Sequence, residues 1–146
     1  MKISTKGRYG LRTMIDLAIN NNTGLIPLKD IAKRQEISEK YLEQIMTPLN
    51  RSCLVKSVRG AQGGYALNCP AEKITVGEIL RALEGSLSPV DCIDRKDSCT
   101  RMDICISIFV WRKLKDAIDD VVDNITLADL VKLGDEAKLE QTDYFI

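Results

Sequence analysis

Three cysteines, Cys92, Cys99 and Cys105, stand in the fifteen residues 91–105, with six residues between the first two and five between the last two. The chain has five cysteines in all and no histidine. An odd count argues against a disulfide framework, so grouped thiols point to metal or redox work. Soft thiolates bind zinc, copper(I) or iron–sulfur clusters. Structural zinc sites commonly draw four ligands from Cys and His, with two sulfurs on one tight Cys-x-x-Cys turn. This segment has neither a knuckle nor a histidine. Its wide spacing suits a loop wrapped around a larger object, each thiolate meeting a different iron corner. Incidental or zinc-binding cysteines are the alternative. Cys53, among Leu49, Leu54 and Val55, reads as a small core residue, and Cys69 as a residue just past a strand.

The elements that must carry this loop are legible around it. At 146 residues with 45% hydrophobic content the chain is long enough for a core of its own. No apolar stretch approaches the roughly eighteen residues of a membrane span, and the chain reads as cytoplasmic with no membrane partner. The net charge of zero hides an asymmetry: residues 1–68 hold eleven Lys+Arg against five Asp+Glu, and residues 69–146 hold ten against sixteen. A basic half suits a polyanion and an acidic half suits control or assembly, although solvated faces alone would also give this balance.

Helical spacing of Leu11, Met14, Ile15 and Ala18 predicts a helix over residues 4–20. A second short helix starts near Pro27, with Leu28, Ile31 and Ala32 on one face. Ser38 caps a third, whose Leu42, Ile45, Met46 and Leu49 recur at i, i+3, i+4 and i+7, and Pro48 should kink or shorten its end. This third helix displays Lys40, Tyr41, Glu43, Gln44 and Thr47 outward, the arrangement of a helix-turn-helix. Two short strands, Val55–Val58 and residues 65–67, flank a loop rich in glycine that holds Arg59, which reads as a wing. Thr75 and Glu78 form a capping box on a fourth helix that closes at Gly85. From Asp103 a long helix is predicted, with Ile104, Ile108, Trp111, Leu114, Ile118, Val121, Val122 and Ile125 as an apolar stripe suited to dimerisation or to covering its own core.

The runs KGRYGLRTMIDLA, YLEQ, LVKSVRGAQGGYAL, the cysteine stretch and ITLADLV resemble the Rrf-type (IscR/NsrR/CymR) group of winged-helix regulators, most nearly its IscR-like iron–sulfur branch. The resemblance covers residues 1–133. It implies a mainly α fold with a winged helix-turn-helix in residues 1–85, a cluster-binding loop in residues 86–105, and a dimerisation helix and tail in residues 106–146. It implies a homodimer on a palindromic double-stranded DNA operator, with Tyr41, Glu43, Gln44 and Arg59 touching DNA. It also implies Cys92, Cys99 and Cys105 as ligands of an iron–sulfur cluster, loaded by iron–sulfur assembly proteins.

Base-edge chemistry agrees with those positions. Gln44 can pair with adenine, Glu43 can accept from a cytosine amino group, and Arg59 can read a base or enter a minor groove. Lys6, Arg8, Lys56 and the backbone at Gly60 suit phosphate, and Lys40, where relatives often have a small polar residue, belongs to the same DNA-facing set. The alternative for Glu43 is a helix ion pair with Lys40. The fourth cluster ligand departs from the group's pattern. Where two-iron relatives have a histidine this chain has Ile108, and where four-iron relatives have an aspartate it has Lys6, Gly7 and Arg8. A four-iron (4Fe-4S) cluster held by three cysteines is therefore preferred over a two-iron (2Fe-2S) one, with Asp103, Ser107, another acidic residue or a small thiol as the fourth ligand. The sequence supports a cluster-sensing transcriptional repressor and no enzyme. A nitric-oxide- or redox-sensing repressor, a cluster-free regulator of cysteine metabolism and an electron-transfer iron–sulfur protein are the alternatives. Only the last lacks a use for YLEQ and the glycine wing.

Overall fold

A computed structural model describes residues 2–143, with side-chain surroundings for residues 2–140. The three last residues of the expected tail lie outside the described residues. Among the described residues, seven α-helices and one two-stranded sheet follow in order: α1 (Thr5–Ile19), α2 (Leu28–Gln35), α3 (Glu39–Arg51), β1 (Val55–Val58), β2 (Gly64–Leu67), α4 (Val76–Glu84), α5 (Asp91–Asp94), α6 (Ile108–Asp123) and α7 (Leu127–Asp143). No helix among the described residues is long and apolar enough to cross a membrane.

The core forms where the apolar faces of α1, α2, α3 and α4 meet. Met14, Ile31, Leu42, Ile45, Leu49 and Ile79 are all fully buried there. Caps set the helix ends as the sequence indicates. Ser4 accepts from the Gly7 amide, Ser38 from the Tyr41 amide, and Thr75 with Glu78 forms the reciprocal capping box. Strand β1 pairs antiparallel with β2 in the register Val55↔Leu67 to Val58↔Gly64. The hairpin is docked to the helices by two 2.8 Å bonds between Ile26 and Tyr65. At Gly64 a Cβ would lie 2.4 Å from the Ile26 carbonyl oxygen, so this close approach requires glycine.

Four expectations change. Helix α3 runs through Pro48 to Arg51 rather than stopping early. Proline removes only its own amide donor, and four apolar residues hold the helix against the core across that position. The long helix begins at Ile108, not Asp103. Residues Met102–Ile104 form a separate 3-10 turn, and Ile104 is 76% exposed rather than part of the stripe. The region expected as a tail holds α7, capped by a Thr126–Asp129 pair (2.9 and 3.1 Å) and anchored by the fully buried Leu127. Cys53 is exposed, not in the core, and its backbone is left-handed at φ 59°.

Candidate nucleic-acid interface and cysteine loop

The buried stripe of α3 leaves its other side to solvent. Lys40, Glu43, Gln44 and Thr47 are exposed and Tyr41 is half-buried. No ion pair between Lys40 and Glu43 occurs among the described residues, so the Glu43 carboxylate is not committed to that partner. The hairpin stands beside this face. Between them lies a cleft of about 650 Å³ lined by Glu43, Thr47, Asn50, Ser57, Arg59 and Gly60, among others. Lys56, Arg59 and Gly60 are exposed along the hairpin, and the Gly63 amide closes its turn onto the Gly60 carbonyl at 3.0 Å. Of the sequence-read residues, Glu43, Thr47, Arg59 and Gly60 share this polar groove, whereas Lys40, Tyr41, Gln44 and Lys56 are not part of its lining. Lys6 is half-buried and Arg8 exposed on the first turns of α1.

A bracing network lies behind this face. Asp16, 6% exposed on α1, accepts from Arg34 Nε (2.9 Å) and Nη2 (2.7 Å) and from Gln35 Nε2 (2.9 Å). This carboxylate hydrogen bond holds the Arg34 guanidinium still more firmly protonated than usual. Gln35 Oε1 accepts from Arg12 Nε at 3.0 Å, and the Arg12 guanidinium sits 4.9 Å over the Tyr9 ring. Tyr9 in turn meets Tyr41 edge-on, with centroids 6.1 Å apart. Contacts thus run unbroken from a buried carboxylate to the first turn of α3. Periodicity places Asp16 on a buried face, but only tertiary structure supplies its partners.

The cysteine loop is built differently. None of residues 86–107 is buried. Its entry is fastened by Ser86 and Ser88, whose hydroxyls both donate to the Asp94 carboxylate, the Ser88 bond being 2.6 Å. The Ser86 hydroxyl first, and then that of Ser88, holds Asp94 below the usual carboxylate range. Cys92 and Cys105 are half-buried and Cys99 is exposed. Cys105 Sγ lies 3.1 Å from Ser107 Oγ. The Ser107 hydroxyl, then the Ile108 amide at the start of α6, draws the Cys105 thiol below its ordinary pKa. Among the described residues no three Cys, Asp or Glu side chains stand together as a metal-holding group. The donor set still suits an iron–sulfur group. It offers three soft thiols, one with its pKa already drawn below the ordinary value, on a segment whose rearrangement would unbury no core residue. Of the fourth-ligand candidates, Asp103 is exposed and Ser107 is engaged with Cys105; Ile108, which has no ligating atom, is turned into the core at 8% exposure.

Past the loop, α6 has one buried residue, Ile108, in sixteen. Phe109, Val110, Leu114 and Val121 are all exposed along it. The helix is tied to α4 by charge. Arg81 donates to Asp123 at 2.6 and 3.1 Å and to Asp119 at 2.8 Å, and Lys115 to Asp119 at 2.6 Å. Asp119 is held below the usual carboxylate range by Lys115 first and then Arg81. The apolar stripe was readable from spacing. The Arg81 link, across about forty residues of sequence, was not.

Comparison with known proteins comes to the same architecture from another direction. Residues 3–133 match the family model described as Rrf2, iron-dependent transcriptional regulator. The chain is 45% identical over 135 residues to the HTH-type transcriptional regulator CymR of Bacillus subtilis, covering 92% of this chain and 93% of the relative. It is 43% identical over 131 residues to the HTH-type transcriptional regulator IscR of Enterobacter sp., covering 90% of this chain and 80% of the relative. Among solved structures, T. potens IscR superposes with a TM-score of 0.77 at 47% identity, over 94% of this chain and 90% of that one. The structure of CymR, the global cysteine regulator of B. subtilis, gives 0.75 at 44% identity, over 91% and 98%.

Proposed function

Because this chain belongs to the Rrf2 family of transcriptional regulators, we propose that it is a homodimeric, cytoplasmic repressor that reads a palindromic operator and answers to an iron–sulfur cluster on its cysteine loop. The observation that carries this reading is one of placement. A solvent-facing polar side of α3 shares a groove with the hairpin, and an unburied three-thiol loop leads straight into α6.

On this reading α3 enters the major groove. Gln44 and Glu43 meet base edges, Arg59 on the wing reads a base or a minor groove, and Tyr41 is held in place from behind by Tyr9. Lys40, Lys56 and the Gly60 backbone, with Lys6 and Arg8, set the register on phosphates. The exposed stripe of α6 is covered by the same stripe of a second copy, giving the twofold symmetry of the operator. Cys92, Cys99 and Cys105 hold the cluster, which when bound supplies a charge and a fold to the loop that track iron and oxidants. The loop is joined to α4 at Gly85 and to α6 at Ser107, and Arg81 fastens those two helices together. A change in the loop thereby biases the angle between the reading heads.

A second reading is favoured by two observations. The three thiols are not gathered, and the CymR of B. subtilis is 45% identical. On that reading the chain regulates cysteine metabolism with free thiols. Anaerobic purification, visible absorption and counting of iron and sulfide separate the two. Colour with both elements supports the cluster reading, and a colourless protein after reconstitution refutes it. A gel shift of a palindromic duplex that weakens steeply with salt tests the DNA reading itself.

A further inference from the structure

Three donors in the cleft between α3 and the wing take no part in the readout described above. Lys29 at the start of α2, Asn50 in the last turn of α3 and Ser57 on β1 line it together with Glu43 and Arg59. All three are exposed. Among the described residues the Lys29 ammonium enters no ion pair, and neither the Asn50 carboxamide nor the Ser57 hydroxyl makes a hydrogen bond. Thr47, on the same wall, differs: its hydroxyl donates to the Glu43 carbonyl at 2.9 Å and is spent within the helix. Free donors of these types suit an anionic acceptor from outside the protein.

Two carboxylates, Glu39 and Glu43, line the cleft as well. Glu39 opens α3 beside the turn that joins it to α2, whereas Lys29 and Asn50 stand at the ends of those helices away from that turn. Lys29 and Arg59 are the two cations of the lining. The wing is slender where it carries Arg59. Its turn runs through Gly60, Ala61, Gln62 and Gly63, with Gly60 at φ 113°, and a Cβ on Gly63 would lie 2.0 Å from the Val58 carbonyl oxygen. Apart from Gln62 the turn has no side chain larger than a methyl group. Such a tip suits a minor groove only about 6 Å wide, and arginine is a side chain that a narrow minor groove attracts.

Neighbouring grooves of a duplex are divided by one sugar–phosphate strand. With Glu43 in the major groove and Arg59 in the adjoining minor groove, that strand has to run between α3 and the wing, where the cleft lies. Resting on the DNA reading above, we infer that the cleft seats one strand of the operator backbone, with Lys29, Asn50 and Ser57 as its phosphate contacts and Arg59 committed to the minor groove. These three contacts carry no base preference and fix the register of α3 and the wing on the duplex.

The test uses the full chain and the duplex it enriches from a random pool, with the fold of each variant checked by circular dichroism. Lys29→Ala removes one phosphate contact per protomer, so the salt slope of a dimer becomes shallower by about 1.8 and the affinity lost between 50 and 200 mM salt about twelvefold smaller. Asn50→Ala should weaken binding to all sequences alike and leave the enriched consensus unchanged. An uncharged methylphosphonate walked along each strand needs no altered protein: it should weaken the unaltered chain most just beside the base pairs whose preference Glu43→Ala relaxes. Past that phosphate, changing A·T pairs to G·C, which adds an amino group to the minor groove, should lower affinity. Changing them to inosine–cytosine, which adds none, should not. An unchanged salt slope in Lys29→Ala, a consensus relaxed by Asn50→Ala, no methylphosphonate effect at that place, or equal affinity for the two substituted duplexes overturns the proposal and leaves the DNA reading standing. A chain that enriches no duplex overturns both.

Discussion

Removal of the Asp16 carboxylate is the perturbation whose cost the structure defines best. Its two oxygens take three hydrogen bonds of 2.7–2.9 Å from Arg34 and Gln35 and a longer one of 3.4 Å from Asn20. Hydrogen bonds to a charged group contribute about 1.5–3 kcal/mol net, and breaking a fully buried pair costs about 3–5 kcal/mol because a charge is stranded. Here the Arg34 side chain is 41% exposed and can return to water, so the stranding cost largely disappears. Asp16→Ala is therefore expected to lose about 2–3 kcal/mol, which for a chain of this size lowers Tm by about 5–10 °C. Urea unfolding at unchanged slope reads the loss directly. Because Gln35 then loses its anchor, Arg12 and Tyr9 should loosen behind Tyr41, and operator affinity should fall more than the small folded-fraction change explains. A destabilisation below about 0.5 kcal/mol, the range of an ordinary surface change, would refute the assigned role of the network.

Three further outcomes follow from the same structure. Asp119→Asn should cost stability at neutral pH and leave acid stability nearly unchanged. The folded Asp119 lies below its unfolded value of about 3.9, so its contribution is present above that pH and lost as pH falls through the lower folded value; urea midpoints against pH check the crossover. Ser107→Ala should slow alkylation of Cys105 by iodoacetamide near neutral pH, since the hydroxyl that favours its thiolate is gone; quantitative mass spectrometry reads the rate, and an unchanged rate contradicts the assignment. Leu114→Glu with Val121→Glu, both exposed in the protomer, should leave the fold intact by circular dichroism and shift light-scattering mass from dimer to monomer, whereas an unchanged dimer would move the interface elsewhere.

Local signals carried most of the fold. Ser38, Thr75 and the glycine-rich wing mark their elements because capping and turn chemistry act within a few residues, and the apolar spacing of α3 identifies the face left for DNA. Helix α7 carries an equally local signature in Thr126 and Asp129, of the same form as the capping box at Thr75, and a reading of residues 127–143 as tail passes it over. Ile104 belongs to the apolar period of α6 yet stands in a separate turn, because periodicity cannot see where the loop hands over to the helix. The Asp16, Arg81 and Tyr9 contacts join residues distant in sequence, so no local pattern announces them. Cys53 looks like core from its apolar neighbours, whereas the left-handed helix stop turns it outward.

Occupancy of the native operator in cells, compared between the unaltered chain and one with Cys92, Cys99 and Cys105 together replaced by serine, tests the central claim most directly. Occupancy that changes between iron-replete and iron-starved growth in the first, and stays fixed at one level in the second, is the expected result. An identical response to iron in both would contradict it.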